Sequence, residues 1–418
     1  MQAPRGTKDI IPEDIIFWQH IYKIANEILS LHNYKEIRTP LLEYTELFQR
    51  TIGHYTDIVN KEMYSFTDQG DRNITLRPEG TASIARAFIS NKLYVAQKIS
   101  RLWYFGPMFR YERPQKGRQR QFHQLGIECL GSCKPIADVE VIRLAINILQ
   151  ELQCKEYTLE INSIGNIEER NCYQEKLIEY LIKYKQDLDK DSQQRLNTNP
   201  LRILDSKNIK TQEILNKAPK LQQFLNLESL NHFNEICKHL TYLQIPYKIN
   251  EKLVRGLDYY NYTAFEIKSI SSKNNDTICG GGRYDQLIQQ LGGPTTPSVG
   301  WAIGVERLLI IVKEKILTEN NNNTIYIIIQ SKENYHEIWD IIKIIEKYKI
   351  KFELDLSNST LSKQIKKAYQ LNIKICFIIG EEEIKNKKIT IKWLKNHTQQ
   401  QIHLFNLTKY LQYIKEYF

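Results

Sequence analysis

Apolar residues recur at helical spacing over residues 12–31, where Ile15, Trp18, Ile21, Ala25, Ile28 and Leu29 fall on one stripe. This predicts a helix whose apolar face needs a partner surface. Lys35 to Glu43 then reads as an extended segment interrupted by Pro40, as an edge strand would be. Two apolar, aromatic runs, 99–111 and 122–130, flank a cationic stretch from Arg113 to Gln121, which predicts an antiparallel hairpin with a long basic loop. From about 135 to 250 the texture turns helical and rich in Lys, Gln and Asn, as of a helical unit inserted between strand-rich blocks. Strand-like sequence returns at 253–304, with a helix expected over 306–315. Residues 319–323 form a linker by composition. Beyond them, strands at 325–330, 352–356 and 373–380 alternate with helices at 335–348 and 360–371, an order that predicts a small three-layer α/β domain.

With 418 residues the chain has room for two or three domains. A hydrophobic content of 42% excludes a long disordered protein, and no run of about 18 apolar residues predicts a membrane span. Fifty-eight Lys and Arg against 48 Asp and Glu leave a net charge of +10, which suits a polyanionic partner or simply keeps an enzyme soluble. The seven cysteines are scattered, so a reducing compartment without a disulfide framework is expected. No Cys-x-x-Cys or His-Glu-x-x-His occurs, and no metal site of dedicated protein ligands is expected. The N-terminus has no apolar targeting segment, so the protein is expected to work where it is made.

The usual nucleotide motifs fail: there is no P-loop, and Gly280-Gly-Gly-Arg-Tyr284 lacks the dinucleotide-binding spacing. Those glycines allow close approach to a ligand, or form a tight turn, the preferred reading of them alone. The hairpin offers more. Strand alternation puts Arg110 and Glu112 on one face, and Gln124, Gly126 and Glu128 on one face of the partner strand. A guanidinium, two carboxylates and an amide, with a glycine leaving space, make a ligand floor. Arg113, Lys116, Arg118 and Arg120 add a cationic lip suited to phosphates, and Phe122 can stack on a base. The plainer alternative is a solvated hairpin tip with an ordinary ion pair. His123 reads as a packed strand histidine.

Phe109-Arg110-Tyr-Glu112-Arg-Pro, continued by Arg118-Gln-Arg-Gln-Phe122-His-Gln124, resembles motif 2 of the class II aminoacyl-tRNA synthetases. Gly300-Trp-Ala-Ile-Gly304-Val-Glu306-Arg307-Leu resembles motif 3, and the N-terminal helix with Pro40 is similar to motif 1, the dimer-forming element. Leu76-Arg-Pro-Glu-Gly-Thr81, Leu253-Val-Arg-Gly-Leu-Asp-Tyr-Tyr260 and Gly280-Gly-Gly-Arg-Tyr-Asp285 look like blocks of the histidyl-tRNA synthetase family. The opening Gln2-Ala-Pro-Arg-Gly-Thr-Lys-Asp9, with Gly117-Arg-Gln-Arg-Gln121, is similar to its cyanobacterial branch, and the Ile/Lys/Asn-rich composition suits a plastid genome.

The resemblance implies an α+β catalytic core built on an antiparallel sheet flanked by helices over 1–320, with a mainly helical insertion at about 167–250. It further implies a linker at 319–324 and a separate C-terminal α/β anticodon-binding domain at 325–418. Histidine would be joined to tRNA(His) through a histidyl-adenylate, with ATP as substrate and Mg²⁺ accompanying it. Glu79, Gly80, Thr81 and Gln124 would hold the α-ammonium of L-histidine, and Glu128 and Tyr260, with Tyr259 nearby, the imidazole. Arg110 and Arg255, the catalytic pair, would bracket the carboxylate and the α-phosphate. Glu112 would meet the adenine amino group or orient ATP; Arg118 and Arg307 would hold phosphates, and Phe122 would stack on adenine with Arg307 on its other face. Arg113 and Gln115 would read an extra 5′ guanosine of the tRNA acceptor end, with Lys116 a phosphate contact. A pocket that satisfies both imidazole nitrogens can reject analogues by ~10⁴–10⁵ without editing. Asp258 and Asp285 would support the site, and the lysine face at 363–367 would meet RNA or merely be solvated. A homodimer is implied, through the helix at 12–31 and the strand near 37–42, in a bacterial cytoplasm or a chloroplast stroma and without a membrane. The alternatives are another class II synthetase, a non-catalytic paralogue regulating ATP phosphoribosyltransferase, and an RNA-binding protein. Trp301 stands where phenylalanine is expected, beside the presumed ATP site.

Overall fold

The computed structural model describes all residues but 54–55, 116, 271–276, 317–322, 331–334, 358 and 418. Lys116 and most of the expected linker lie outside the described residues. The chain forms two compact units, Met1–Leu317 and Thr318–Phe418.

The first unit is built on an eight-stranded sheet. In chain order its strands are β1 (Lys35–Glu36), β2 (Ser100–Phe109), β3 (Gln121–Leu130), β4 (Tyr157–Ser163), β5 (Tyr247–Ile249), β6 (Asn261–Ser269), β7 (Thr277–Arg283) and β8 (Ser298–Gly304). In space they run β1-β2-β3-β8-β7-β6-β4-β5. The outer pairs β1–β2 and β4–β5 are parallel and every pairing between them is antiparallel.

Strand alternation gives this sheet two unlike faces. One carries Trp103, Ile127, Phe265, Ile267, Val299, Trp301 and Ile303, all buried in a core shared with helices Pro12–Leu31, Pro135–Glu151 and Leu227–Tyr242. Each of the first two helices opens with proline in its first turn, followed by acidic residues, which suits the fixed φ of proline and the helix dipole. The other face is sparse. Its rows read Tyr104–Gly126–Ala302–Gly280–Glu266 and Leu102–Glu128–Gly300–Gly282–Ala264. Small residues in the middle of both rows leave a trench across the sheet.

Several expectations change here. Trp18, Ile21, Ala25 and Leu29 are buried inside the chain while Ile15 stays exposed, so most of the stripe expected to join two copies packs within one. Lys35 to Glu43 is two strands, because Pro40 separates β1 from Leu42–Tyr44, which pairs in a three-stranded sheet with Asn73–Leu76 and Tyr64–Thr67. The helical texture after 135 hides core elements: β4 and β5 belong to the main sheet, Pro135–Glu151 packs on that sheet, and Leu227–Tyr242 packs on Pro135–Glu151 through Phe233, Ile236 and Leu240. Gly280, Gly281 and Gly282 lie within β7, not in a turn.

The second unit holds a five-stranded sheet in the order Lys351–Leu354, Thr324–Ile329, Ile375–Ile379, Lys388–Trp393, Thr398–His403. The first three strands are parallel and the last two antiparallel. Helices Tyr335–Lys347 and Leu407–Tyr417 share one core with the sheet, and Leu361–Gln370 contributes to another. The β-α-β-α-β order is as expected, and the hairpin 388–403 extends it. Among the described residues no helix is long and apolar enough to cross a membrane.

Candidate active site

The trench opens into a cleft of about 890 Å³, its open mouth included. Eleven of the expected site residues line it: Glu79, Thr81, Arg110, Glu112, Arg118, Phe122, Gln124, Arg255, Tyr259, Tyr260 and Arg307. They come from the start of helix Thr81–Ser90, the β2–β3 loop, β3, the irregular segment before β6, and helix Val305–Val312. Gly80, Glu128, Arg113 and Gln115 do not line it.

At one end of the cleft sit acceptors. The Glu79 carboxylate takes the backbone N–H groups of Thr81 (2.7 Å) and Ala82 (2.8 Å) at the open N-terminus of helix Thr81–Ser90. Burial raises its pKa, and those two bonds oppose the rise. Gln124 Oε1 is buried with no hydrogen-bond partner. Arg255 faces them. Its guanidinium pairs with Glu266 and lies 5.6 Å from the centre of the Tyr260 ring, while its buried Nε has no partner. Burial works against its charge, but Glu266 and the neighbouring tyrosines outweigh that and raise its pKa. The guanidinium also crosses β7 at Gly280, where any side chain would collide with it. Close approach, rather than a turn, explains that glycine.

Gly126 has a different purpose from the expected one. The space above it is filled by the Tyr104 ring, which also abuts Gly80, so neither glycine opens the cleft to a ligand. Glu128 lies one layer beneath the lining. It accepts from Thr81 Oγ1 (2.7 Å) and from the Tyr284 hydroxyl, in a space kept free by Gly300. Tyr284 was not singled out by motif chemistry; its place beside Arg283 in a glycine-rich block was the available signal. Burial raises the Glu128 pKa from the ordinary 4.5 to about 8, against the two donors. The sign of the consequence is fixed. Over that interval the unfolded chain has released this proton and the folded chain retains it, so ionisation favours unfolding. The ligand-free protein is expected to lose stability as pH rises from about 5 to about 8. Glu128→Gln should flatten that slope in melting temperature, and an unchanged slope would show that Glu128 does not titrate there.

The other end is cationic. Arg110 donates from Nε to the Pro78 carbonyl (2.8 Å), stands 3.9 Å from Glu112 and lies 5.3 Å from the centre of the Phe122 ring. The cation over Phe122 is Arg110. Arg118 donates to Glu112 (3.2 Å), and Arg307 to the carbonyls of Gly117 (3.2 Å) and Thr277 (2.8 Å). The Glu306 carboxylate accepts the His123 backbone N–H and lies 2.9 Å from its Nδ1, so His123 ties β3 to the helix that carries Arg307. Arg113 and Gln115 are exposed near the loop tip, which two backbone bonds between Gln115 and Arg118 close. Trp301 is not beside the cleft. It projects from the opposite face and donates from Nε1 to the Val141 carbonyl (2.6 Å), so its extra bulk sits in the helix-covered core. Among the described residues no group of three His, Cys, Asp or Glu is placed to hold a metal ion.

Residues 6–308 match the family model described as histidyl-tRNA synthetase, and residues 324–414 the model described as anticodon binding domain. The chain is 63% identical to the chloroplastic histidine–tRNA ligase of Gracilaria tenuistipitata var. liui, over 96% of this chain and 95% of that one. It is 48% identical to the histidine–tRNA ligase of Cyanothece sp., over 96% and 93%. The crystal structure of apo S. aureus histidyl-tRNA synthetase superposes with a TM-score of 0.81 at 36% identity, covering 98% of this chain and 99% of that one. Taken with the cleft and its motifs, these matches decide the matter: the chain belongs to the histidyl-tRNA synthetase family.

Proposed function

We propose that the cleft seats L-histidine and ATP side by side, joins them as histidyl-adenylate with release of pyrophosphate, and passes the histidyl group to the terminal adenosine of tRNA(His). Charging of tRNA with histidine is the activity of this ligase, and the second unit is its anticodon-binding domain. One observation carries the assignment of the amino-acid seat. Gln124 Oε1 and Arg255 Nε, an acceptor and a donor, are both buried without partners among residues that line one cleft. Leaving both unpaired is costly, and an α-amino acid, with its ammonium and carboxylate, supplies a partner to each.

On this reading Glu79, Thr81 and Gln124 hold the ammonium. Tyr259 and Tyr260 bound the imidazole, with Glu128 setting the site from below through Thr81. Arg255 and Arg110 bracket the carboxylate and the α-phosphorus, Phe122 stacks on adenine, and Arg118, Glu112 and Arg307 hold the remainder of ATP. The carboxylate attacks the α-phosphorus in line with the leaving pyrophosphate, so positioning and neutralisation of charge do the work and no covalent nucleophile is needed. Mg²⁺ would come with the triphosphate, which supplies oxygen ligands, and Glu112 and Glu306 are carboxylates lining the cleft there; bound, the ion neutralises phosphate charge. ATP–pyrophosphate exchange with each of the twenty amino acids tests the reading. Histidine alone should support exchange, and support by another amino acid, or by none, rejects it.

The basic loop meets the acceptor end of the tRNA on this reading. An extra 5′ guanosine presents O6 and N7 to a bidentate arginine, and Arg113 is exposed on the loop for that contact. Arg113→Ala is expected to lower charging of tRNA bearing this base by about 1–3 kcal/mol in transition-state terms. Charging of tRNA without it, and exchange, should change little; equal loss on both tRNAs would make Arg113 a phosphate contact. For the homodimer, Leu41, Leu42, Tyr44 and Phe66 remain exposed around the three-stranded sheet, and we place the contact on that face. The chloroplast stroma is the compartment we assign, in keeping with the chloroplastic relative.

A further inference from the structure

The segment Leu253–Tyr260 carries the arginine and tyrosines of the amino-acid seat, yet it belongs to no helix or strand. Its conformation must be imposed from outside. Arg255, Leu257, Tyr259 and Tyr260 line the cleft, whereas Gly256 and Asp258 meet the helical insertion. Arg170, on helix Ile167–Ile182 of the insertion, donates from Nη1 to the carbonyls of Tyr260 (2.6 Å) and Asp258 (3.2 Å). Asn199, also of the insertion, donates to the Asp258 carboxylate at 3.2 Å.

The anchor behind Arg170 is firm. Its neighbour Glu169 forms a capping box with Asn166 and also accepts from Asn226 N–H and Ser229 Oγ, so one carboxylate fixes the starts of two helices. A guanidinium held by that helix, and bonded to the two carbonyls on either side of Tyr259, constrains how Tyr259 and Tyr260 present their rings. We propose that Arg170 is a positioning residue for the amino-acid seat, through which the insertion sets the shape of the histidine pocket. This rests on the reading that Tyr259 and Tyr260 bound histidine. The ATP end of the cleft is built on β3 and the helix of Arg307, neither of which Arg170 touches in these bonds.

The test is histidine-dependent exchange by the full chain without tRNA, with KM measured separately for histidine and ATP. Arg170→Met should raise the histidine KM about tenfold and leave the ATP KM within about twofold, with Arg170→Lys recovering part of the loss; a lost charge-assisted hydrogen bond is of that size. Asn199→Ala should move the histidine KM in the same direction by less, and it carries the test if Arg170→Met fails to fold. A fall in kcat with both KM values unchanged, or a parallel rise in both, overturns the proposal. Tyr260→Phe is measured alongside. If it raises the histidine KM while neither insertion variant does, the seat is correct and the proposal is wrong; if none of the three moves it, the seat itself is misassigned.

Discussion

Arg255→Ala is expected to reduce histidine-dependent ATP–pyrophosphate exchange by about 10²–10³-fold, the usual result of removing one preorganised group that meets charge developing in the transition state. Three features place the full effect on this residue. Its guanidinium is held by Glu266, so little reorganisation is needed when the phosphate charge shifts. It is largely withdrawn from solvent, which strengthens its field in the cleft. Gly280 leaves free the space that its guanidinium occupies. Arg255→Lys should recover little, because an ammonium cannot bond Glu266 and substrate with the same planar fork. Steady-state exchange with histidine and ATP both saturating is the measurement; wild-type-like rates in Arg255→Ala would remove Arg255 from the chemistry.

Arg283→Met is expected to destabilise the first unit by about 3–5 kcal/mol, the cost of leaving a buried carboxylate without its partner. Arg283 is fully buried, pairs with Asp138 and donates to the Ser132 carbonyl (2.7 Å) and to Asp285 (3.1 Å). It thereby ties the start of helix Pro135–Glu151 to the end of β7. The adjacent Tyr284 donates to Glu128, so loosening this knot should also weaken histidine binding. In denaturant unfolding, Arg283→Met combined with Asp138→Asn should lose less than the sum of the single changes. Strict additivity would show that the pair is not coupled.

Much of the cleft was legible because strand alternation is a strict rule. Gln124 follows from it, and so does the placement of Trp301 away from the cleft, since Gly300 and Ala302 share the open face; Arg110 lies just past the end of β2, where the rule no longer applies. The mistaken expectation about Trp301 came from reading its bulk without its parity. Where parity ends, legibility ends. Tyr104 fills the space above Gly126 only because β2 and β3 pair in one register. The turn-like appearance of Gly280 to Gly282 was local, while the reason for the glycines lies in Arg255, Trp301 and Tyr260 on neighbouring segments. Leu227–Tyr242 carries the same amphipathic pattern whether it packs on the insertion or on the core. The polar strand Thr398–His403 lies at a sheet edge with most side chains exposed, so it has no apolar alternation to read.

The glycine rows also hand the closing of that sheet face to side chains that cross it. An ordinary sheet face is closed by side chains standing upright on it, but here Arg255 crosses at Gly280, Tyr260 at Gly282 and Glu128 at Gly300. The residues that close the fold are thus the ones that line the cleft or stand just behind its lining. Rigidity and affinity therefore compete for the same few positions. A methyl group added at Gly300 would take its volume from the Glu128 carboxylate and press on the Ile127 carbonyl, behind the lining of the cleft. Selection for a firmer resting state must act elsewhere, in the helices behind the sheet, where gains in packing leave the seat untouched.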